Sequence, residues 1–159
     1  MTQPGVSIAL STHIPIDSLV VAVNHFQIFR GVGIELKTYP YYDPATIGLG
    51  FDKYLEFIKS AAPRTVFVLH ACAHNPTGVD PTREQWSQIA DVISERGHYV
   101  FFDSAYQGFA SGDLDADAWA VREFVKRGIP LLICQVCRNT TGYHLSTTDE
   151  AMFITCGRR

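Results

Sequence analysis

Two stretches carry side chains with chemistry to offer: His70-Ala71-Cys72-Ala73-His74-Asn75-Pro76-Thr77-Gly78, and Asp103-Ser104-Ala105-Tyr106-Gln107-Gly108. They supply a carboxylate (Asp103), a phenol (Tyr106) and a carboxamide (Asn75). A carboxylate beside a pyridine nitrogen keeps that nitrogen protonated by opposite-charge attraction. Tyr106 can donate to an oxygen on the same ring, and Asn75 can donate to that oxygen or to a substrate carboxylate. The set suits a protonated pyridine ring bearing a phenolate. Each member also has an ordinary structural reading. Asp103 can be a turn or helix cap, Tyr106 a core aromatic, Asn-Pro-Thr-Gly a turn, and His70 and His74 polar plugs at a strand end.

The elements that must position these residues are legible in the periodicity. Thr65 to Ala71 is a short continuous apolar run, which suits a strand buried on both faces. Asp80-Pro81 reads as an N-cap followed by a first helical residue. Trp86, Ile89, Ala90 and Ile93 recur at helical spacing, and Gly97 marks the stop. Tyr99 to Asp103 is a second strand. Ala118, Val121, Phe124 and Val125 form another helix closed by Gly128, and Ile129 to Cys134 is a third strand. This β-α-β-α-β order predicts an α/β fold, a mainly parallel sheet flanked by helices, with right-handed crossovers. Upstream, Ile34 to Tyr41 reads as a strand, and Phe51, Tyr54, Leu55, Ile58 and Ala62 as an amphipathic helix. The first twenty residues give only a weakly alternating strand, and the tail after Gln135 is turn-rich and aperiodic. In open α/β sheets ligands sit beyond the C-terminal ends of the strands, where His70, Asn75, Asp103 and Tyr106 all fall.

Bulk properties narrow the class. A chain of 159 residues, 47% hydrophobic and 18% charged, fits one globular domain. A net charge of −3 gives no reason to expect nucleic acid or an anionic membrane surface. No apolar stretch reaches the roughly 18–20 residues of a membrane span, and the N-terminus lacks the pattern of a secretory signal. The four cysteines, Cys72, Cys134, Cys137 and Cys156, are expected as reduced thiols.

Longer motifs add a resemblance. Tyr41-Tyr42-Asp43-Pro44, His70 to Asp80, Asp103 to Gly112 and Asp117-Ala118-Trp119-Ala120-Val121-Arg122 resemble the large domain of the aspartate aminotransferases. These are fold-type I enzymes that use pyridoxal 5′-phosphate (PLP). The resemblance runs from about Asn24 to Gln135 and divides the chain into a divergent segment 1–23, a partial large, PLP-binding domain 24–135, and a divergent tail 136–159. It implies amino-group transfer from L-aspartate to 2-oxoglutarate, giving oxaloacetate and L-glutamate. It also implies that Asp103 pairs with the pyridine nitrogen, Tyr106 with the ring oxygen, and Asn75 with ring oxygen and substrate. His25 and His70 would support Asp103 from behind. The family works as a homodimer, and Phe101 to Tyr106 is closer to the cytosolic branch, so a cytoplasmic protein is expected.

Several of the family's working residues have no counterpart. The lysine that forms the Schiff base with PLP should follow the strand ending near Gln135; an ungapped alignment puts Asn139 there, and no lysine follows Lys126. Lys37, Lys53, Lys59 and Lys126 fall in predicted helices or strands away from the site. Asparagine has no amine to condense with an aldehyde and is no useful base; proton transfer alone is commonly worth about 10²–10⁴ in rate. Val136 stands where the family has a phosphate-binding serine, Thr147 where it has a phosphate-binding arginine, and Ala22 where it has a ring-stacking tryptophan. The glycine-rich phosphate segment and the two arginines that clamp a dicarboxylate are not found either. The expectation is a truncated large-domain piece, inactive alone, with no catalytic residue of its own.

Two other classes are open. One is a non-catalytic fragment that associates with full-length aminotransferase subunits through apolar surface the rest of the subunit would cover. The other is a zinc module built from Cys134, Cys137, His144 and Cys156. It conflicts with Cys134 closing an apolar strand, so no metal is expected. A redox role for the Cys-x-x-Cys pair is weaker, because reactive pairs sit at helix N-termini.

Overall fold

The computed structural model describes residues 7–12, 25, 29, 31, 35–137 and 151–156. Its main sheet has six strands in the order β2-β1-β5-β6-β7-β8. These are β1 (Ser7–Thr12), β2 (Glu35–Pro40), β5 (Val66–His70), β6 (Tyr99–Ser104), β7 (Leu131–Cys137) and β8 (Ala151–Cys156). All neighbouring pairs are parallel except β7–β8, which is antiparallel. The small antiparallel pair β3 (Tyr42–Asp43) and β4 (Gly48–Leu49) leads into helix α1 (Phe51–Ser60). The other helices are α2 (Arg83–Arg96), α3 (Leu114–Asp117) and α4 (Trp119–Lys126). The expected mainly parallel α/β architecture is therefore present, with β5-α2-β6-α4-β7 at its centre.

The weakly alternating N-terminal strand is present as β1, inserted between β2 and β5. Two expectations need correction. The tail expected to be aperiodic contributes β8, and β7 itself runs two residues past Gln135 to Cys137. The N-cap of α2 is Thr82, not Asp80. Its side chain accepts from the Gln85 amide while the Gln85 side chain accepts from the Thr82 amide, a reciprocal pair that satisfies two otherwise free N–H groups. At the other end Gly97, at φ 64°, ends the helix in the left-handed conformation, as expected of glycine there.

Strand alternation separates the two faces of the sheet. Phe67, Leu69, Val100, Phe102 and Leu131 belong to the large core shared with α1, α2 and α4. There Trp86, Phe102 and Phe124 meet in edge and tilted contacts 5.2–6.0 Å apart. Tyr39 stacks on Tyr54 and donates to the Val68 carbonyl at 2.9 Å, so its hydroxyl is satisfied inside the core. Val66, Val68 and Phe101 lie on the opposite face, packed with Phe29. The next outward residues on that second face are His70 and Asp103.

Candidate functional site

His70 and Asp103 are direct partners in the β5–β6 register, and Asp103 is in turn the partner of Cys134 on β7. Paired positions on neighbouring strands present their side chains to the same face. Parallel pairing thus lines up a histidine, a carboxylate and a thiol in one row at the C-terminal end of the sheet. His25, on helical backbone, comes down onto this row. Its Nε2 lies 3.1 Å from Asp103 Oδ2, and its ring meets that of His70 edge-on at 6.1 Å. Phe29, four residues on, stacks with His25 and packs edge-on against Phe101, which fixes the ring from behind.

All three side chains are half-buried, so the site is screened but open to water. Burial alone would raise the Asp103 carboxyl. The His25 hydrogen bond and the neighbouring His70 and His25 rings outweigh it and hold the carboxyl below the usual aspartate value. His70 is driven the other way: burial lowers it, against the opposing pull of Asp103. The pair is thus set as carboxylate and neutral imidazole. Asp103 Oδ1 makes no hydrogen bond among the described residues, so one carboxylate oxygen is left to meet a ligand.

Asn75 and Tyr106 are held differently. Asn75 is exposed in the β5–α2 loop, at a cis peptide bond to Pro76. Tyr106 is 40% exposed in the β6–α3 loop, and neither side chain has a hydrogen bond among the described residues. The structure brings together His25, His70 and Asp103, and leaves Asn75 and Tyr106 projecting from the two flanking loops. Asn139, Thr147 and Ala22 lie outside the described residues, and Val136 is described only as part of β7.

Two carboxylates shape these loops in roles the sequence did not show: Asp80, expected as a helix cap, and Asp117, known only as part of a motif. Asp80 accepts from the Ala73 and His74 amides at 2.6 and 2.8 Å, clasping the β5–α2 loop shut. Ala73 sits there at φ 47°, a left-handed conformation that costs a non-glycine residue about 1–3 kcal/mol and that the clasp holds in place. The Tyr41 ring lies against His74 with centroids 3.8 Å apart, and its hydroxyl donates to the Val79 carbonyl at 2.7 Å. His74 Nδ1 pairs with Thr77 Oγ1 at 2.8 Å, so His74 braces the loop rather than the ligand face.

Asp117 performs the same service for the β6–α3 loop. It accepts from the Gly108, Ala110 and Ser111 amides and from the Ser111 hydroxyl, at 2.6–3.1 Å, while itself only 7% exposed. Gly108 is required beneath it: φ is 89°, and an added Cβ would stand 2.8 Å from Leu114 Cδ2. The sequence signal for Asp117 was its place in a long motif; its buried network was not readable from spacing.

The cysteine readings lose their footing. Cys134 and Cys137 both lie inside one continuous strand, not across a turn, and His144 falls outside the described residues. Burial raises the Cys134 thiol, with Asp103 adding to it, and the buried Cys72 is pushed up to about 12. Both are free thiols held protonated, the reverse of what redox chemistry needs. No described helix is long and apolar enough to cross a membrane.

Comparison with known proteins agrees with the geometry. A mitochondrial aspartate aminotransferase P2 from Lupinus angustifolius is 53% identical over 121 residues, covering 76% of this chain and 27% of that protein. The cytoplasmic aspartate aminotransferase of Saccharomyces cerevisiae superposes with a TM-score of 0.74 at 44% identity, over 83% of this chain and 31% of that one. An aromatic-amino-acid aminotransferase from Burkholderia pseudomallei, solved covalently bound to pyridoxal phosphate, gives a TM-score of 0.74 at 39% identity, over 83% of this chain and 31% of that one. The chain therefore spans less than a third of the length of these relatives. Residues 23–137 match the model of the aminotransferase class I and II family, and the chain belongs to that family.

Proposed function

We propose that this chain carries the ring half of an aspartate-aminotransferase cofactor site, binds pyridoxal 5′-phosphate without a covalent link, and does not by itself catalyse transamination. Residues 24–135 serve as the partial large domain, between divergent flanks 1–23 and 136–159 that lend strands to its sheet. The observation that carries the reading is the Asp103 carboxylate, held ionised by His25 with its second oxygen open. That donor set fits a protonated pyridine nitrogen. Asp103 orients and keeps the proton on it, His25 fixes Asp103, and His70 walls the carboxylate from solvent. Tyr106 and Asn75, free on their loops, reach the ring oxygen from the two sides, and Asn75 also meets a substrate carboxylate. When bound, such a ring supplies an electron sink.

The aldehyde side does not fit. No lysine follows Lys126, and the four lysines present sit on β2, α1 and the end of α4. No transamination step is therefore assigned to this chain. L-Aspartate and 2-oxoglutarate are its substrates only through the family reaction, as are homodimer assembly and association with full-length subunits. A cytoplasmic location rests on the Phe101–Tyr106 segment, and its relatives include both mitochondrial and cytoplasmic proteins.

The test is an absorbance titration of purified protein with pyridoxal phosphate, repeated after borohydride and dialysis, beside a coupled assay for oxaloacetate. Saturable binding that dialyses away after reduction, weakened in Asp103→Ala and without turnover, is the expected result. A reduced label fixed at one defined residue, or steady turnover, would overturn it.

A further inference from the structure

The same row of side chains has the composition of a metal centre, and we propose that His25, His70 and Asp103 form a site for a divalent first-row transition ion such as zinc. Two imidazoles and one carboxylate are the donor set used by three-ligand zinc sites and by facial non-haem iron sites, each of which leaves positions open for water. The available ligand atoms of the three residues all lie within 4.8 Å of one another. In a regular tetrahedral site with bonds of about 2.1 Å, ligand atoms stand about 3.4 Å apart. His25 Nε2 and Asp103 Oδ2, at 3.1 Å, already meet that spacing.

The positions are fixed by the fold rather than by loops. His70 and Asp103 face each other across paired strands, and His25 is braced by Phe29 against the sheet. The half-buried setting admits water to the open positions. A pyridine nitrogen and a metal ion compete for the same carboxylate. In a chain with no lysine to tether the cofactor, that competition is not decided in advance by a covalent bond.

The experiment uses tag-free, chelator-stripped protein with no pyridoxal present. Zinc is measured by equilibrium dialysis and metal analysis, and cobalt(II) by its ligand-field absorption. The expected result is a single ion per chain, with tetrahedral or five-coordinate cobalt colour. His25→Ala, His70→Ala and Asp103→Ala should each lower zinc affinity by roughly 100-fold or more, beyond what outer-sphere changes cost. Asp103→Asn serves as an isosteric check wherever circular dichroism shows that the alanine variant has not folded. Tyr106→Phe should leave zinc binding unchanged while weakening pyridoxal phosphate, measured separately in chelator, so the two readings fail independently. Absence of a bound ion, or binding that survives in all three variants, overturns the site.

Discussion

Asp117→Asn isolates what holds the loop that presents Tyr106. Asp117 takes two hydrogen bonds on each oxygen: Gly108 and Ala110 amides on Oδ2, the Ser111 amide and hydroxyl on Oδ1. Asparagine keeps one oxygen. Its best orientation leaves that oxygen toward Gly108 and Ala110 and turns the amide toward Ser111, whose hydroxyl can rotate to accept. The Ser111 N–H then faces another donor, and the charge is gone from every remaining bond. Hydrogen bonds to charged groups contribute about 1.5–3 kcal/mol each, and with Ala110 and Ser111 exposed the low end applies, so the loss is about 2–3 kcal/mol. With a urea m-value of about 2 kcal/mol/M, the unfolding midpoint should fall by about 1–1.5 M. Asp115→Asn is the control. It breaks the exposed Asp115–Arg122 pair two residues away and should cost no more than about 0.5 kcal/mol. If the Asp117→Asn midpoint stays within about 0.3 M of the parent, the buried carboxylate is not what orders this loop.

Phe124→Ala removes a ring that is 0% exposed and wedged between Trp86 and Phe102, and should cost about 3–5 kcal/mol in urea unfolding; a loss below about 1 kcal/mol would mean the core refills the gap. Acid should weaken the protein in two stages. Burial lowers both His98 and His70 from the ordinary 6.5, so the unfolded chain binds the extra proton first and stability falls as pH drops below that value. Asp103 lies below 3.8 when folded, so its contribution is kept down to that pH and lost beneath it. Urea midpoints that do not change between neutral pH and pH 5 would remove the first stage.

How much of this was legible in the chain depends on how local each signal is. The runs Val66–His70 and Tyr99–Ser104 announce buried strands, and the spacing of Trp86, Ile89 and Ile93 announces α2, because one face of each is apolar within a few residues. Asp103 and His70 could be placed at strand ends for the same reason. That they face each other in register is a pairing fact, fixed by the sheet and not by spacing along the chain. Strand β8 escaped notice, and β1 showed only as a weak alternation, because their ladders join segments far apart in sequence. Asp80-Pro81 mimics a helix start, but the left-handed turn at Ala73 frees two amides that Asp80 satisfies instead. The helix is then capped by Thr82 with Gln85, a signature present in the sequence two residues further on. Aspartate 117 shows the same limit: its value comes from three amides of a loop that ordinary periodicity does not describe.

The antiparallel seating of β8 against β7 has a bearing on solution behaviour. A β7 left bare would offer a ladder of unpaired amides and carbonyls, a template onto which a second molecule could add a strand. By folding its own tail back along β7 from Leu132 to Cys137, the chain fills that template itself. Growth by strand addition is then confined to the outer margins, β2 and β8, the two ends of the sheet order.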